Sequence, residues 1–460
     1  MGYHLPRFIP CRYIYMLLGF LGMLFTFAMM TNLAIAMVSM VNHTAIKILH
    51  EDDFRSIRGI VHFHLDTIPD DEILPEESPE DGTNIWSLSL QGIIISSYFW
   101  GYLLGQLPGA RLSEDVSGAW TFFAGVSIHI LGTLLIPEAG HIHYGLIIAI
   151  RVVQGFMGGF TFPATHFLLT RWAPPHERSL ISSFVYSGGP MGNVISLIFT
   201  GSICYYINWE ASFYILGGIS APWMILWAIL VNDNPRKHKF IREEEREYLT
   251  TTLQLTDDKM SHSRVPWKSI ARSGQVWILI LTHSALCWGF YVNLTQLPLY
   301  MKMVLHFSLC YGRLADYLIS TGKLPLTTVR RLSTVIAATV PALCCIAVPF
   351  TTSHVIAVCL MITGNTFFAA VFSGFQQAHM DIASRFAATL MSLTNSCGTV
   401  SGIIVPIFSG WMLDKDISMR SWQVIFFVTA GFYLSAAIIF GLFAKSDELP
   451  WNKDSYKEDE

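Results

Sequence analysis

The sequence predicts an all-α protein that crosses a membrane many times. Of its 460 residues, 52% are hydrophobic and 13% are charged, and the mean hydropathy is +0.45. Because soluble domains carry about 25% charged residues, this composition excludes an ordinary soluble protein. Apolar runs recur along the chain, and most are about as long as the roughly 20 residues that a helix needs to cross the hydrocarbon core. The formal net charge of −4 gives no basis for nucleic-acid binding.

The cysteines and acidic residues give no sign of a metal, redox or catalytic centre. The 8 cysteines are scattered, most of them inside apolar runs, and no spacing matches a zinc site or a disulfide framework. The sequence also contains no nucleophile motif and no phosphate-binding loop. We therefore expect neither an enzyme nor a resident cofactor.

The first half of the chain, residues 1–231, predicts a bundle of six spans. The first apolar run, 14–40, is longer than the core of a signal peptide, so it is expected to remain as a helix. Arg7 and Arg12 precede this run and place the N-terminus in the cytoplasm by the positive-inside rule. The other predicted spans lie near 86–108, 120–136, 144–170, 180–205 and 213–231.

An acidic segment, residues 43–84, separates the first two spans. Asp and Glu greatly outnumber Lys and Arg in it, which indicates a loop on the non-cytoplasmic side of the membrane. We interpret the loop as a solvated segment, with a binding role as the alternative. Asn42 opens the sequon Asn42-His43-Thr44, so glycosylation is predicted there, close to the membrane.

The fourth predicted span, 144–170, carries the most informative residues of the chain. Arg151 is charged inside an apolar helix, which costs several kcal/mol unless the side chain faces water or a partner. We predict that Arg151 binds an anion; a structural ion pair is the alternative. His166 can exchange protons near neutral pH or can be a hydrogen-bonded packing residue. Gly155 and Gly159 share one helix face and predict close approach of a neighbouring helix.

Further candidates lie beside this span. Tyr102 belongs to an aromatic cluster in the second span and is expected either to line a substrate path or to pack. Tyr186 begins a stretch of glycines with a proline in the fifth span, where the helix should bend. Glu177 and Arg178 follow the fourth span and are expected to form a charged clasp.

The second half begins after a basic linker. Residues 232–275 are rich in Lys and Arg, which places the linker in the cytoplasm, and 241–253 predicts a short amphipathic helix. Residues 276–444 form a second predicted bundle, and 445–460 form a polar tail. The apolar runs of the second bundle lie near 276–300, 332–350, 355–375, 386–411 and 422–443. Asn293 is a polar group within the seventh span that could reach a cavity.

Several stretches of the chain resemble one family, the anion transporters of the major facilitator superfamily that include sialin, the vesicular glutamate transporters and the sodium–phosphate cotransporters. The matching stretches are Phe99-Trp100-Gly101-Tyr102, Trp172-Ala173-Pro174-Pro175-His176-Glu177-Arg178-Ser179, Asn234-Pro235-Arg236-Lys237-His238-Lys239 and His379-Met380-Asp381-Ile382-Ala383. The resemblance implies twelve helices in two six-helix bundles and a central anion site that is reached alternately from either side. It also implies coupling to protons, sodium or the membrane potential.

The resemblance also implies roles for single residues. Arg151 and His166 match an arginine and a histidine of the family's fourth span, whereas four other positions differ from members of the family. Arginines of the first and seventh spans are replaced by Met30 and Leu286, a glutamate of the fourth by Gly158, and a histidine of the second by Ile95. Glutamate is therefore a disfavoured substrate, and the less basic site is closer to that of phosphate or general organic-anion cotransporters.

The eighth span of the family has no full counterpart in this chain. The seventh span should end near residue 302, and Gly312-Arg313-Leu314-Ala315-Asp316 resembles the superfamily's cytoplasmic loop motif. Only residues 303–311 lie between them, and a helix of that length rises about 14 Å, against a hydrocarbon core of roughly 30 Å. About twenty residues therefore look absent between Leu309 and Cys310.

Three interpretations of this gap remain open. The sequence comes from an incomplete gene model or a splice form, it is a true protein of about eleven spans, or a partial helix is shielded inside the bundle. A missing helix could disable transport, so a non-transporting scaffold or inactive splice form is our alternative function. The side of the membrane that holds the C-terminus stays open for the same reason.

These observations predict an ion-coupled symporter of inorganic phosphate or a small organic anion, with sodium or protons as the coupling ion. We expect a monomer in the plasma membrane or in an endo-lysosomal or vesicular membrane. The candidate substrate or coupling residues are Tyr102, Arg151, His166, Tyr186 and Asn293. The candidate gate or loop-motif residues are Glu177, Arg178, Arg313, Asp316, His379 and Asp381. His379 and Asp381 are expected to lie at the cytoplasmic end of the tenth span and to clasp a gate rather than bind substrate.

Overall fold

The computed structural model describes residues 10–42, 82, 84–86, 88–253, 265–294, 317, 324–351, 354–415 and 419–454. The regular structure in these residues is helical, apart from a bridge between Val41 and Asn84. The predicted all-α class is therefore confirmed. Nine helical stretches of the described chain are long and apolar enough to cross a membrane.

The first half forms seven helices. They are α1 (Cys11–Met40), α2 (Leu88–Leu112), α3 (Gly118–Ile142), α4 (Tyr144–Gly158), α5 (Thr161–Trp172), α6 (Arg178–Tyr206) and α7 (Trp209–Leu230). The predicted linker contains α8 (Glu243–Thr252) and α9 (Trp267–Arg272), and α8 occupies the predicted amphipathic segment. The described second half contains α10 (Gly274–Leu294), α11 (Leu326–Ala347), α12 (His354–Phe368), α13 (Phe375–Ile382), α14 (Ala387–Lys415), α15 (Met419–Phe443) and α16 (Pro450–Asp454).

The predicted fourth span is broken into α4 and α5, contrary to the prediction of one continuous helix. Gly159 and Phe160 form a turn, and the amide of Phe160 bonds to the Met157 carbonyl, three residues back, at 3.1 Å. Pro163 has no amide hydrogen, so the Gly159 carbonyl loses its donor four residues ahead. Together the two helices still make one span, Tyr144–Trp172.

Two other spans are longer than predicted. The second continues past Pro108 to Leu112 and through a π-helical turn, Ser113–Ser117, before Ser117 adopts an extended backbone and caps α3. The tenth passes through the 3₁₀ turn Ala369–Phe372 and a break at Gly374, and then continues beyond the predicted end at 375 as α13. The His379–Ala383 motif therefore lies at the end of this helix.

Helices α1, α6, α10 and α11 all begin at one end of the molecule, which we name the base. Arg12 at the start of α1 bonds to Glu177 just before α6, and Arg330 at the start of α11 bonds to Ser179 in α6. The starts of α10 and α11 both contact the chain after α15, through Gln275 to Lys445 and Thr327 to Ser446. Since α10 and α11 start at the same end, the connection 295–325 joins opposite ends of the bundle.

The predicted truncation of the eighth span falls in that connection, almost all of which lies outside the described residues. The described first half holds six spans, counting α4 and α5 as one, and the described second half holds five, counting α12 and α13 as one. The missing span therefore stays a prediction, as does the placement of Arg313 and Asp316.

Helices α2 and α4 pack backbone against backbone. A Cβ atom added to Gly155 would overlap the Tyr98 carbonyl oxygen, and one added to Gly105 would overlap the Phe156 carbonyl oxygen. Gly159 faces the Tyr102 carbonyl oxygen in the same way. The close approach predicted from Gly155 and Gly159 is confirmed, and α2 is the partner helix.

We expect Gly155→Val to separate α2 from α4 and to destabilise the protein by about 3 kcal/mol or more, because backbone cannot move aside as a side chain can. The midpoint of thermal unfolding in detergent measures the effect. Gly92→Val on α2 is the matched control, since nothing lies within 4 Å of a Cβ atom at Gly92. Equal midpoints for the two variants would contradict the proposed contact.

Candidate functional site

A cavity of about 130 Å³ lies between the two halves of the protein. Aromatic side chains from both halves form much of its wall: Phe27, Tyr98, Phe99, Tyr102, Phe162 and Tyr186 from the first half, and Phe290, Tyr291, Phe368, Phe372 and Phe375 from the second. Its polar groups include Asn193, His283, Gln376 and Asn395. Among the described residues that line it, none is Asp, Glu, Lys or Arg.

Arg151 lies directly behind this wall and is only 2% exposed. Its Nη2 donates to the carbonyl oxygen of Met30 at 3.1 Å, and its Cζ lies 4.8 Å from the centre of the Tyr98 ring. Both Met30 and Tyr98 line the cavity. The Nε and Nη1 atoms of Arg151 have no hydrogen-bond partner, and no carboxylate of the described chain pairs with it. The alternative of a structural ion pair therefore finds no support in the described residues.

A buried histidine fixes the Tyr98 ring over Arg151. His129 Nδ1 lies 2.8 Å from the carbonyl oxygen of Gly125, which can only accept, so this nitrogen carries the proton. His129 Nε2 is then an acceptor and receives the Tyr98 hydroxyl at 3.1 Å. Gln154 holds the same turn of α3 by donating to the His129 carbonyl at 3.0 Å.

Three of the positions that differ from the family surround this site. Met30 and Leu286 both line the cavity, so the replaced arginines would have faced it. Gly158 leaves room for the Tyr98 hydroxyl and for His129, whose Cε1 would lie 2.9 Å from an added Cβ atom. A glutamate at this position would therefore collide with the Tyr98–His129 pair.

Tyr102 lines the cavity and joins the two halves. Asn395 in α14 donates to the Tyr102 hydroxyl at 2.9 Å and to Gln106 at 2.8 Å, and Gln106 donates to Thr399 at 3.1 Å. The Tyr102 side chain therefore lines the cavity and also takes part in a contact between the two halves.

His166 and Tyr186 also lie where the halves meet. The Tyr186 hydroxyl bonds to His166 Nδ1, and His166 Nε2 lies 3.2 Å from the Gln376 carbonyl oxygen in the second half. Tyr186 stacks between Phe162 and Phe372 at ring distances of 5.6 and 6.0 Å. Tyr186 lines the cavity, whereas His166 is fully buried behind it.

His379 belongs to the same buried region, and its role in a gate stays a prediction. Its ring lies 5.7 Å from that of His166 and 6.2 Å from that of His283. His379 Nε2 and His283 Nδ1 each lie 2.9 Å from the Thr394 hydroxyl oxygen. Three histidines from both halves therefore meet below the cavity, because α13 extends beyond the predicted end of the tenth span.

Asp381 lies at the base and contacts arginines of both halves, and its role in a gate stays a prediction. Its carboxylate accepts from Arg330 Nε at 2.7 Å within the second half and lies 3.7 Å from Arg178 Nη1 of the first half. Arg330 Nη1 also donates to Ser179 at 3.0 Å and to the Ser373 carbonyl at 2.7 Å. One carboxylate thus holds two cations, one from each half.

Glu114 makes a second clasp at the base. Its carboxylate accepts from the Thr389 amide at 2.8 Å and the Thr389 hydroxyl at 2.5 Å, at the start of α14, where a negative charge is favoured. Arg111 pairs with the same carboxylate at 3.0 Å. Glu177, by contrast, pairs with Arg12 inside the first half at 3.1 Å and does not reach the second half in the described contacts.

Some predicted residues cannot be placed. Arg313 and Asp316 lie outside the described residues, and so does the side chain of Asn293, although the α10 backbone continues through it. Asn42 follows α1, and its amide donates to the Asn84 carbonyl at 2.9 Å. Glycosylation of Asn42 stays a prediction.

The sequence analysis missed four residues of this site. His129 and His283 were detectable as single polar residues inside apolar runs, and Glu114 as an acid just past a span. Arg330 was detectable as a basic residue just before a predicted span. Their partners lie far along the chain (Glu114 meets Thr389, for example), so no local pattern could indicate these pairings.

Comparisons with known proteins agree with this architecture. The Major Facilitator Superfamily profile matches residues 16–406. Human sialin is 33% identical over 97% of this chain and 92% of its own length. A Drosophila melanogaster protein provisionally named an inorganic phosphate cotransporter is 31% identical over 99% of this chain and 88% of its own. Human vesicular glutamate transporter 2 is 29% identical over 96% of this chain and 75% of its own.

Solved structures show the same fold. The proton:xylose symporter XylE matches with a TM-score of 0.66 at 14% identity, over 96% of this chain and 98% of its own. Similarity to transporters along nearly the whole chain does not favour the alternative of a non-transporting protein. The chain is a multi-pass membrane transporter, not an enzyme, and it belongs to the major facilitator superfamily, in the family that contains sialin and the vesicular glutamate transporters.

Proposed function

We propose that this protein moves a small anion, inorganic phosphate or a small organic anion, by symport with sodium or protons, and that no cofactor takes part. The observation that carries the proposal is Arg151, a buried cation beside the cavity with two unpartnered nitrogens. An arginine stays charged at every relevant pH, so the empty site is electrostatically unbalanced. An anion in the cavity supplies the missing charge.

The arrangement of Arg151 explains how it can act without lining the cavity. One face of its guanidinium is covered by the Tyr98 ring, and one edge is held by the Met30 carbonyl. In a medium of low dielectric constant, a charge attracts an anion across several ångströms far more strongly than it does in water.

The rest of the wall limits the class of substrate. Met30 and Leu286 leave the cavity without the further arginines that the family resemblance implied, so a single carboxylate or a phosphate fits the charge better than a dicarboxylate. Tyr98, Phe99 and Tyr102 offer apolar and π contacts to an organic part. The provisional name of the Drosophila relative supports phosphate as the first anion to test.

The contacts between the halves support alternating access. His166 to Gln376, Arg178 to Asp381, and Glu114 to Thr389 all lie between the cavity and the base. The positively charged linker and N-terminal flank favour a base on the cytoplasmic side of the membrane. Because the contacts at the base join the two halves, we interpret the described state as closed toward the cytoplasm. Transport then requires these contacts to break and the opposite side to close.

The same flank supports a cytoplasmic N-terminus in a plasma, endo-lysosomal or vesicular membrane, and we propose that one copy of the chain is sufficient for transport. Two hydrophobic clusters of the described chain belong mainly to one half each, and residues of both halves of the same chain line the cavity.

Uptake into liposomes that contain the purified protein tests this function. Radiolabelled inorganic phosphate, lactate and benzoate are offered under an inward sodium gradient, an inward proton gradient, or neither. We expect at least one anion to accumulate above its outside concentration under one gradient and not without it. Failure of every anion under both gradients, with protein of the correct fold in the membrane, would falsify the proposal.

A further inference from the structure

Below the cavity, hydrogen bonds link two histidines of the second half through a threonine. His283 lines the cavity and is 7% exposed, whereas His379 and Thr394 are fully buried. The Thr394 hydroxyl oxygen lies 2.9 Å from both His283 Nδ1 and His379 Nε2. The path from the cavity to His379 therefore consists of two hydrogen bonds.

The partners of His379 fix where its proton lies. His379 Nδ1 lies 3.3 Å from the Gln376 carbonyl oxygen, which can only accept, so Nδ1 carries the proton of the neutral ring. His379 Nε2 is then an acceptor for the Thr394 hydroxyl, which also lies 3.1 Å from the Met391 carbonyl oxygen, and the Thr394 oxygen accepts from His283 Nδ1. The neutral network is complete, and His283 Nε2 is left as its free basic nitrogen.

We propose that His283, Thr394 and His379 bind and transfer a coupling proton that arrives through the cavity. A proton from the cavity binds to His283 Nε2. His283 then releases its Nδ1 proton to the Thr394 oxygen, and Thr394 gives its own hydroxyl proton to His379 Nε2. His283 returns to neutrality, and His379 becomes an imidazolium that donates to Gln376 and to Thr394. The proposal rests on the proposed transport function and names its coupling ion.

A charge on His379 acts on the contact between the two halves. The Gln376 carbonyl oxygen accepts from His379 within the second half and from His166 of the first half, at 3.3 and 3.2 Å. A charged His379 donates a stronger hydrogen bond to the Gln376 carbonyl oxygen and so weakens the bond from His166, whose ring lies 5.7 Å away. The buried positive charge also destabilises the closed arrangement. Protonation therefore favours opening of the base.

The groups around the network couple binding of the proton to binding of an anion in the cavity. The titratable or charged groups packed near it are His166 of α5, Tyr186 of α6, Cys287 of α10, Asp381 of α13, and Glu114 at the start of α14. Asp381 is already held by Arg330 and Arg178, and Glu114 by Arg111 and Thr389. No carboxylate of the described chain bonds to these histidines, so an added proton leaves a net positive charge that an anion in the cavity can balance.

The test compares two transport modes of purified protein in liposomes. Concentrative uptake of phosphate, lactate or benzoate under a proton gradient needs proton movement, whereas exchange of labelled for unlabelled anion does not. We expect His283→Asn, His379→Asn and Thr394→Val to lose at least about tenfold of the proton-driven uptake, and His379→Asn and Thr394→Val, which do not line the cavity, to keep the exchange. His238→Asn is the control, because His238 is buried and bonds to the Leu230 carbonyl, outside this network.

Each outcome decides between the two proposals. Proton-driven uptake that survives in His283→Asn, or wild-type uptake driven by sodium alone, overturns the proton site and leaves anion transport standing. If wild-type protein moves no anion, the proposed transport function is contradicted, and amide hydrogen exchange then tests the proton site separately. After correction for the intrinsic pH dependence of amide exchange, lowering the pH from about 7 to about 4 should then reduce the protection of 375–382 in wild-type protein and not in His379→Asn. Equal exchange in the two proteins overturns the proton site.

Discussion

Arg151→Ala is expected to lower anion uptake by about a hundredfold or more, because a buried positive charge behind the cavity wall is lost. The same change should leave the empty protein as stable as before or more stable. The arginine has two buried nitrogens without partners, and removal of an unpaired buried charge relieves a desolvation cost. Uptake rates and the thermal unfolding midpoint, measured on the same preparation, check both parts.

Arg151→Lys separates charge from geometry. Lysine keeps the positive charge but not the planar group that faces the Tyr98 ring and bonds to Met30, so part of the uptake should remain, with a higher KM. Arg151→Ala protein that still accumulates the anion at the wild-type rate would remove Arg151 from the site. A fall in the unfolding midpoint of Arg151→Ala alone would instead indicate a structural role.

Asp381→Asn should open the base of the protein. Asparagine leaves Arg330, which is 2% exposed, without its negative partner, and loss of one member of a buried ion pair costs about 3–5 kcal/mol. Arg178 of the first half loses the same partner, so the closed arrangement bears that cost. We expect faster amide exchange in 375–382 and in the start of α6, together with a fall in concentrative uptake of at least about tenfold.

Glu243→Gln is the matched control for this change. Glu243 also pairs with an arginine, Arg246 at 2.5 Å, but its side chain is 77% exposed in the linker helix α8, and such pairs contribute about 0–1 kcal/mol. Uptake and exchange should stay at wild-type values. If Asp381→Asn behaves like Glu243→Gln, the clasp at Asp381 does not hold the base closed.

The spans and their order could be predicted from the sequence because each depends on a local apolar run. The break of the fourth span was also local: Gly159 and Pro163 were visible, but the length of the run outweighed them. The ends of the second and tenth spans were misplaced for another reason. Polar residues such as Ser113 and Gln377 look like loop residues until a partner is known, here the Gly109 carbonyl and Ser182.

The candidate site was predictable only in part. Arg151, His166, Tyr102 and Tyr186 stand out because a charged or aromatic group in an unusual setting can be read locally. The position of His379 beside His166 and His283 depends on how three distant helices pack, and no spacing in the sequence encodes it. The same holds for Glu114, which acts across 275 positions of the chain.

The glycine contact between α2 and α4 has a mechanical consequence. No side chain lies between these helices at Gly105 and Gly155, so no rotamer change can loosen them gradually, and the pair behaves as one stiff body. Tyr98 on α2 and Arg151 on α4 therefore travel together through the cycle. An anion meets the same ring and the same cation whichever side it came from. Any difference between the dissociation constants for loading and for release then has to arise outside this helix pair.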